Sequence, residues 1–113
     1  MLSVIIQPTK FESIREALET IGVSRYTVCD AQGYGRQRGQ TEMYRGQEYK
    51  THLLRKLALE IVVNDDFVQR TIEVITRVAR TGVEGNIGDG KLFVLPVEET
   101  IQISTGERGM GAI

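Results

Sequence analysis

The segment Ile87-Gly88-Asp89-Gly90-Lys91 carries the residue types best suited to chemistry. Glycine permits positive φ and close backbone approach, so successive N–H groups can converge on phosphate oxygens. Lys91 adds a point charge beside them. The Walker A spacing is absent, and an apolar strand pattern follows Lys91 where a helix would be required. Taken by itself, the segment is equally a glycine-rich hairpin turn. Gly33-Tyr34-Gly35-Arg36-Gln37-Arg38-Gly39 is a second anion-suited stretch, with Arg36 and Arg38 beside a freely bending backbone. It serves equally as the flexible base of a long loop.

Charge and composition narrow the choices. From Arg36 to Lys56 six basic residues face two acids, so that window carries +4 while the remainder carries −5 of a net −1. The near-neutral total does not favour bulk binding to nucleic acid or to an anionic membrane. The local excess suits either a solvated basic loop or a docking segment for an anionic ligand. One cysteine, Cys29, and one histidine, His52, exclude an internal disulfide framework and Cys- or His-rich metal sites within one chain. No nucleophile–base pair or clustered acid–base set is visible, so an enzyme is not expected. Tyr44 and Tyr49 sit in a polar stretch and suit contact or modification. The aromatic stacking signature of an RNA-binding sheet is absent. No apolar run reaches a membrane span and the N-terminus lacks a signal-peptide pattern, so a cytoplasmic protein is expected.

These residues need a scaffold, and 113 residues supply one domain. Leu2 to Ile6 is a branched apolar run that suits a buried strand, stopped by Pro8. Ile14, Ala17, Leu18 and Ile21 form one helical stripe, and Gly22 is placed to cap it. Tyr26 to Cys29 reads as a second strand. Periodicity then fails from Asp30 to His52, which predicts a long loop. Leu57 to Val63 alternates as a third strand, with Glu60 turned away from Leu59 and Ile61. Asn64 or Asp65 caps a second helix carrying Val68, Ile72, Ile75 and Ala79, ended by Gly82. Leu92 to Val97 is a fourth strand, and Ile101 and Ile103 suit a last short one. The glycine-rich tail is expected to be mobile unless a partner fixes it. The order β-α-β-loop-β-α-β predicts an α+β, ferredoxin-like double βαβ sandwich: four antiparallel strands with both helices on one face. The other face then needs cover, which a homo-oligomer would give.

The chain resembles the PII signal-transduction proteins of nitrogen regulation. The resemblance rests on Gly33–Gly39, on Thr41-Glu-Met-Tyr-Arg-Gly-Gln-Glu-Tyr49, on Leu59-Glu-Ile-Val-Val63 with Asn64-Asp-Asp66, and on Thr81-Gly82. It continues through Ile87-Gly-Asp-Gly-Lys-Leu-Phe-Val94, Thr105-Gly-Glu107 and Ala112-Ile113. It implies one domain over residues 1–113 in a homotrimer, with a T-loop at about 36–54 and a B-loop at about 82–91. It implies ATP or ADP between subunits, with Mg²⁺ and 2-oxoglutarate beside it. A T-loop would then dock an ammonium transporter or a nitrogen-assimilation enzyme, with membrane association only through such a transporter. By motif, the nucleotide-binding positions are Thr27, Gly35, Arg36, Gln37, Val62, Gly88, Asp89, Gly90 and Lys91. Gln37 and Lys56 match the 2-oxoglutarate positions, Gln37 also serving the Mg²⁺. Tyr49 matches a tyrosine modified in some members.

Three features depart from the family pattern. Thr81-Gly82 is followed by Val83-Glu84-Gly85-Asn86 before Ile87, three residues longer than usual, with Asn86 where a lysine is common. Gln102 and Ser104 stand where two arginines usually reach the phosphates. The arm Lys50 to Lys56 is more basic than usual. The lost arginines predict weaker triphosphate binding or a shift toward ADP or AMP, unless the extra B-loop amides or Arg108 make up the loss. A related regulator of carbon or other membrane transport is the alternative reading.

Overall fold

The computed structural model describes residues 1–35 and 52–113. Its order is β1 (Leu2–Ile6), α1 (Phe11–Thr20), β2 (Thr27–Gly35), β3 (His52–Ile61), α2 (Asp65–Ala79) and β4 (Gly90–Val94). Pro8 does stop β1. It opens a 3₁₀ turn, Pro8–Lys10, that runs directly into α1, because a proline at the start of a helical turn gives up no hydrogen bond. The strands form one sheet in the order β2-β3-β1-β4. All the pairings are antiparallel, as the ferredoxin-like reading requires.

The register divides the sheet into two faces. Leu2, Val4 and Ile6 pair with Ile61, Leu59 and Leu57 on one side and with Val94, Leu92 and Gly90 on the other. Alternation puts these residues on the face that meets the helices. Leu2, Val4, Ile6, Leu59 and Ile61 are buried there against Ile14 and Leu18 of α1 and Val74, Ile75 and Ala79 of α2. Thr71 is fully buried among them, and its hydroxyl is satisfied by donating to the Phe67 carbonyl one turn back, 2.8 Å away. The second face carries Ser3, Ile5, Ala58, Glu60 and Phe93, a mixture of polar and apolar residues. Glu60 is exposed while its neighbours Leu59 and Ile61 are buried.

Gly22 caps α1 as expected. Its φ is +84°, its N–H donates to the Glu19 carbonyl, and the Val23 N–H reaches back to Leu18. This is the double bond of a Schellman cap, with Val23 and Leu18 both buried beside it. Elsewhere the element ends shift. α2 stops at Ala79, where Arg80 turns extended, three residues before Gly82. Asn64 precedes α2 without a capping side-chain bond. Pairing carries β2 on to Gly35 and begins β3 at His52, because the two strands keep their ladder after apolar alternation has ended. β4 begins at Gly90 and ends at Val94, and Ile101 contributes only an isolated bridge to Arg108. The tail closes in a short 3₁₀ turn, Gly109–Ala112.

Leu59 is fully buried at the centre of this core. Leu59→Ala should therefore lower unfolding stability by roughly 2–5 kcal/mol, measurable by urea denaturation, whereas the exposed neighbour changed in Glu60→Gln should shift it by less than about 0.5 kcal/mol.

Candidate functional site

The loop between α2 and β4 is built around one carboxylate. Asp89 accepts the Thr81 N–H at 3.0 Å and the Asn86 N–H at 2.8 Å on one oxygen. Its other oxygen accepts the Thr81 hydroxyl and, at 3.4 Å, the side-chain amide of Gln7. Burial pushes the Asp89 carboxyl up, but the Thr81 hydroxyl, the Thr81 and Asn86 amides and the Lys10 charge together hold it below its ordinary value. The loop therefore folds about Asp89, whose negative charge is met by donors from within the loop and from Gln7, the residue after β1.

The neighbouring carbonyl is a second fixed point. Gly88 O accepts Lys56 Nζ at 2.8 Å and Gln7 Nε2 at 3.2 Å. Ile6 pairs with Leu57, so the next residues along each strand, Gln7 and Lys56, fall side by side. Lys56 is buried, with 8% of its surface exposed. Among the described residues no carboxylate pairs with it. Lys91 enters β4 opposite Ile5 and is exposed. Gly90 has φ +125°, and a methyl group there would run into the Ile5 carbonyl, so glycine is required where the loop joins the sheet.

The structure thus brings Lys56, Gly88, Asp89, Gly90 and Lys91 to one end of the sheet. Thr27 and Val62 lie at the other end: Thr27 pairs with Glu60, and Val62 follows the last residue of β3. Thr27 starts edge strand β2, and Gly90 starts edge strand β4. Three strand spacings and about three residues of rise separate them by roughly 17 Å. Gly35 is the last residue of β2. Arg36, Gln37 and Tyr49 lie outside the described residues, as does most of the expected T-loop. Of its expected span, residues 52–54 belong to β3, and Gly90 and Lys91 of the expected B-loop belong to β4. Arg108 is engaged within its own chain by the Glu99 carboxylate.

Three residues of this arrangement are not among the expected site positions: Gln7, Thr81 and Asn86. The parity of β1 offered one signal, since Gln7 continues the row of Ser3 and Ile5 on the second face. Nothing in the local sequence ties Thr81 and Asn86 to Asp89. Among the described residues no group of His, Cys, Asp and Glu is arranged to hold a metal ion, and no helix is long and apolar enough to cross a membrane.

A family model described as nitrogen regulatory protein P-II matches residues 1–107. The chain belongs to the P-II family. It is 48% identical to the nitrogen regulatory protein P-II of Azospirillum brasilense over 112 residues, covering 99% of this chain and 97% of that relative. It is 46% identical, with the same coverages, to nitrogen regulatory protein P-II 1 of Escherichia coli. Its fold is similar to that in the structure of B. subtilis GlnK, with TM-score 0.78, 35% identity and coverage of 99% and 96% of the two chains. Membership makes this P-II chain a regulatory signalling protein with the α+β ferredoxin-like fold.

Two measurements test the geometry of the loop. Gly90→Ala should destabilise the protein by roughly 1–3 kcal/mol through backbone strain, read by thermal unfolding. Asp89 has a folded-state pKa lowered from 3.8. Its contribution to stability is thus present above the unfolded value and is lost as pH falls through the folded one. Below about pH 4 the wild type should lose stability more steeply than Asp89→Asn, which has no such ionisation to lose.

Proposed function

We propose that the chain is a homotrimeric regulator that binds ATP or ADP between subunits. The observation that carries this reading is the separation of the two halves of the site. Thr27 and Val62, suited to the adenosine side, sit at the opposite end of the sheet and by the opposite edge from Gly88, Gly90 and Lys91, suited to the phosphates. One nucleotide meets both sets only if a second copy supplies one of them. The surface supports such a copy. Among the described residues β4 pairs on one side only and forms a sheet edge, and Phe93, Val94 and Leu95 are exposed on and just after it.

On this reading the glycine-bent backbone around Gly88 and the Lys91 ammonium hold the phosphates. Gln37 would hold Mg²⁺, which would supply positive charge to the phosphates. Gln37 and Lys56 receive 2-oxoglutarate. The chemistry of Lys56 fits a carboxylate, since a buried ammonium whose partner among the described residues is a neutral carbonyl gains from an anion. Ligand-dependent change in the 36–51 segment then controls a nitrogen-related target, an ammonium transporter or an assimilation enzyme, with Tyr49 a modification candidate. Differential contacts in two states are what such control requires.

A second reading, a regulator of carbon or other membrane transport tuned to ADP or AMP, is favoured by one observation. Arg108, which could have replaced the arginines missing at Gln102 and Ser104, is committed to Glu99.

Calorimetric titration with ATP, ADP and AMP, with and without Mg²⁺ and 2-oxoglutarate, separates these readings. Nitrogen sensing requires 2-oxoglutarate to tighten Mg²⁺-ATP binding. Preference for ADP or AMP with no 2-oxoglutarate effect selects the second reading. Lys91→Ala should weaken binding by roughly 10- to 100-fold, the worth of one charge-assisted bond. Full affinity in that variant, or a monomer that binds as tightly, would count against the intersubunit site.

A further inference from the structure

We propose that Gln7 and Asn86 are positioning residues of the loop that receives the phosphates, acting through Asp89 and the Gly88 carbonyl without touching the ligand. This deepens the nucleotide reading above and rests on it.

The loop has little apolar packing to hold its shape. It arches beside a cavity of about 550 Å³ whose apolar lining includes Val4, Ile6, Ile75 and Leu92. Its own apolar side chains turn outward, with Val83 92% and Ile87 68% exposed. What fixes the backbone is therefore polar, and it converges on two acceptors adjacent in sequence. Gln7 serves both, since one amide nitrogen donates to Gly88 O at 3.2 Å and to Asp89 Oδ1 at 3.4 Å. A single side chain at the end of β1 thereby ties the sheet to the backbone between residues 88 and 90. The Asp89 N–H is itself used within the loop, donating to the Asn86 carbonyl at 3.2 Å, so a phosphate would be held by the amides on either side of it.

Asn86 closes the other side. Its N–H donates to Asp89 Oδ2 at 2.8 Å, and its side-chain amide donates to Thr81 Oγ1 at 3.0 Å. The Thr81 hydroxyl in turn donates to Asp89 Oδ1. Thr81, Asn86 and Asp89 thus form a ring of hydrogen bonds across the base of the loop. The ring ties together the two flanks of the three-residue extension, Thr81 before it and Asn86 after it. The ring also keeps the Asp89 carboxylate inside the loop, away from an incoming phosphate that it would repel.

The test uses the full chain and two readouts: nucleotide affinity by calorimetry, and amide hydrogen exchange in the nucleotide-free protein. Gln7→Met keeps the length and loses the donors. It should weaken ATP and ADP binding about tenfold, the loss of roughly one hydrogen bond to a charged group. It should also speed exchange of the amides of residues 82–90 several-fold while those of β1 and β3 are unchanged. Gln7→Lys restores a donor and should recover both readouts. Asn86→Ala should act in the same direction. The double variant Gln7→Met, Asn86→Ala should lose less than the product of the two single effects, because both act through Asp89. Wild-type affinity and exchange in Gln7→Met overturns the proposal, and so does a loss that Gln7→Lys fails to recover. If the wild type binds no nucleotide, the nucleotide reading falls, and the exchange arm still decides whether Gln7 and Asn86 position the loop.

Discussion

The register of β1 is the constraint on which the rest of the structure depends. β1 is five residues long, yet it carries two ladders, one to β3 and one to β4. Those pairings bury Leu2, Val4 and Ile6 against both helices, so they are specified by the core itself. A slip of one residue would turn this row outward and bring Ser3 and Ile5 in. The same register fixes the polar end of the strand. It sets Gln7 next to Lys56, and it sets Ile5 opposite Lys91 and its carbonyl against Gly90. The geometry of the loop is thus inherited from apolar packing elsewhere in the sheet.

Beyond β1 the loop follows a different physical rule. The core is held by area removed from water, which is non-directional. The loop is held by directional bonds to one carboxylate and one carbonyl. Such bonds are worth little net when water can replace them, but they determine orientation strongly. Asp89 is therefore organised as an internal acceptor, its charge spread over two backbone amides, a hydroxyl and a side-chain amide. On the nucleotide reading, the backbone offered to phosphate and the carboxylate beside it have opposite electrostatic tasks. The fold separates them by turning the side chain inward.

The two rules explain what the sequence made legible. The strand and helix order was readable because Leu2 to Ile6, the Ile14–Ile21 stripe and Leu59–Ile61 carry their periodicity locally. Gly22 was readable because a helix cap is also local. The extension of β2 to Gly35 was not, since Asp30, Gln32 and Gly33 are held in the strand by β3 and not by their own preferences. The end of α2 at Ala79 was missed because Thr81 is drawn to Asp89, which pulls the chain out of the helix before Gly82. Gln7 was missed for a sharper reason: its partners lie 81 and 82 residues away, and no spacing rule reaches that far. Lys56 and Gly88 were both named from motif, while their contact with each other depended on the register.

Charge at the phosphate end now follows from these commitments. Lys56 donates to the Gly88 carbonyl, and Lys10 reaches the Arg80 carbonyl. Lys91 is exposed, and among the described residues no ion pair engages it. On the nucleotide reading, each phosphate beyond the first must find its countercharge outside this set. The sources are the exposed Arg80 at the start of the loop, Mg²⁺, the basic 36–51 segment or the facing subunit. A triphosphate would then depend on the long segment more than a mono- or diphosphate does. That dependence is the differential contact by which the identity of the nucleotide could be passed to the segment that meets the target.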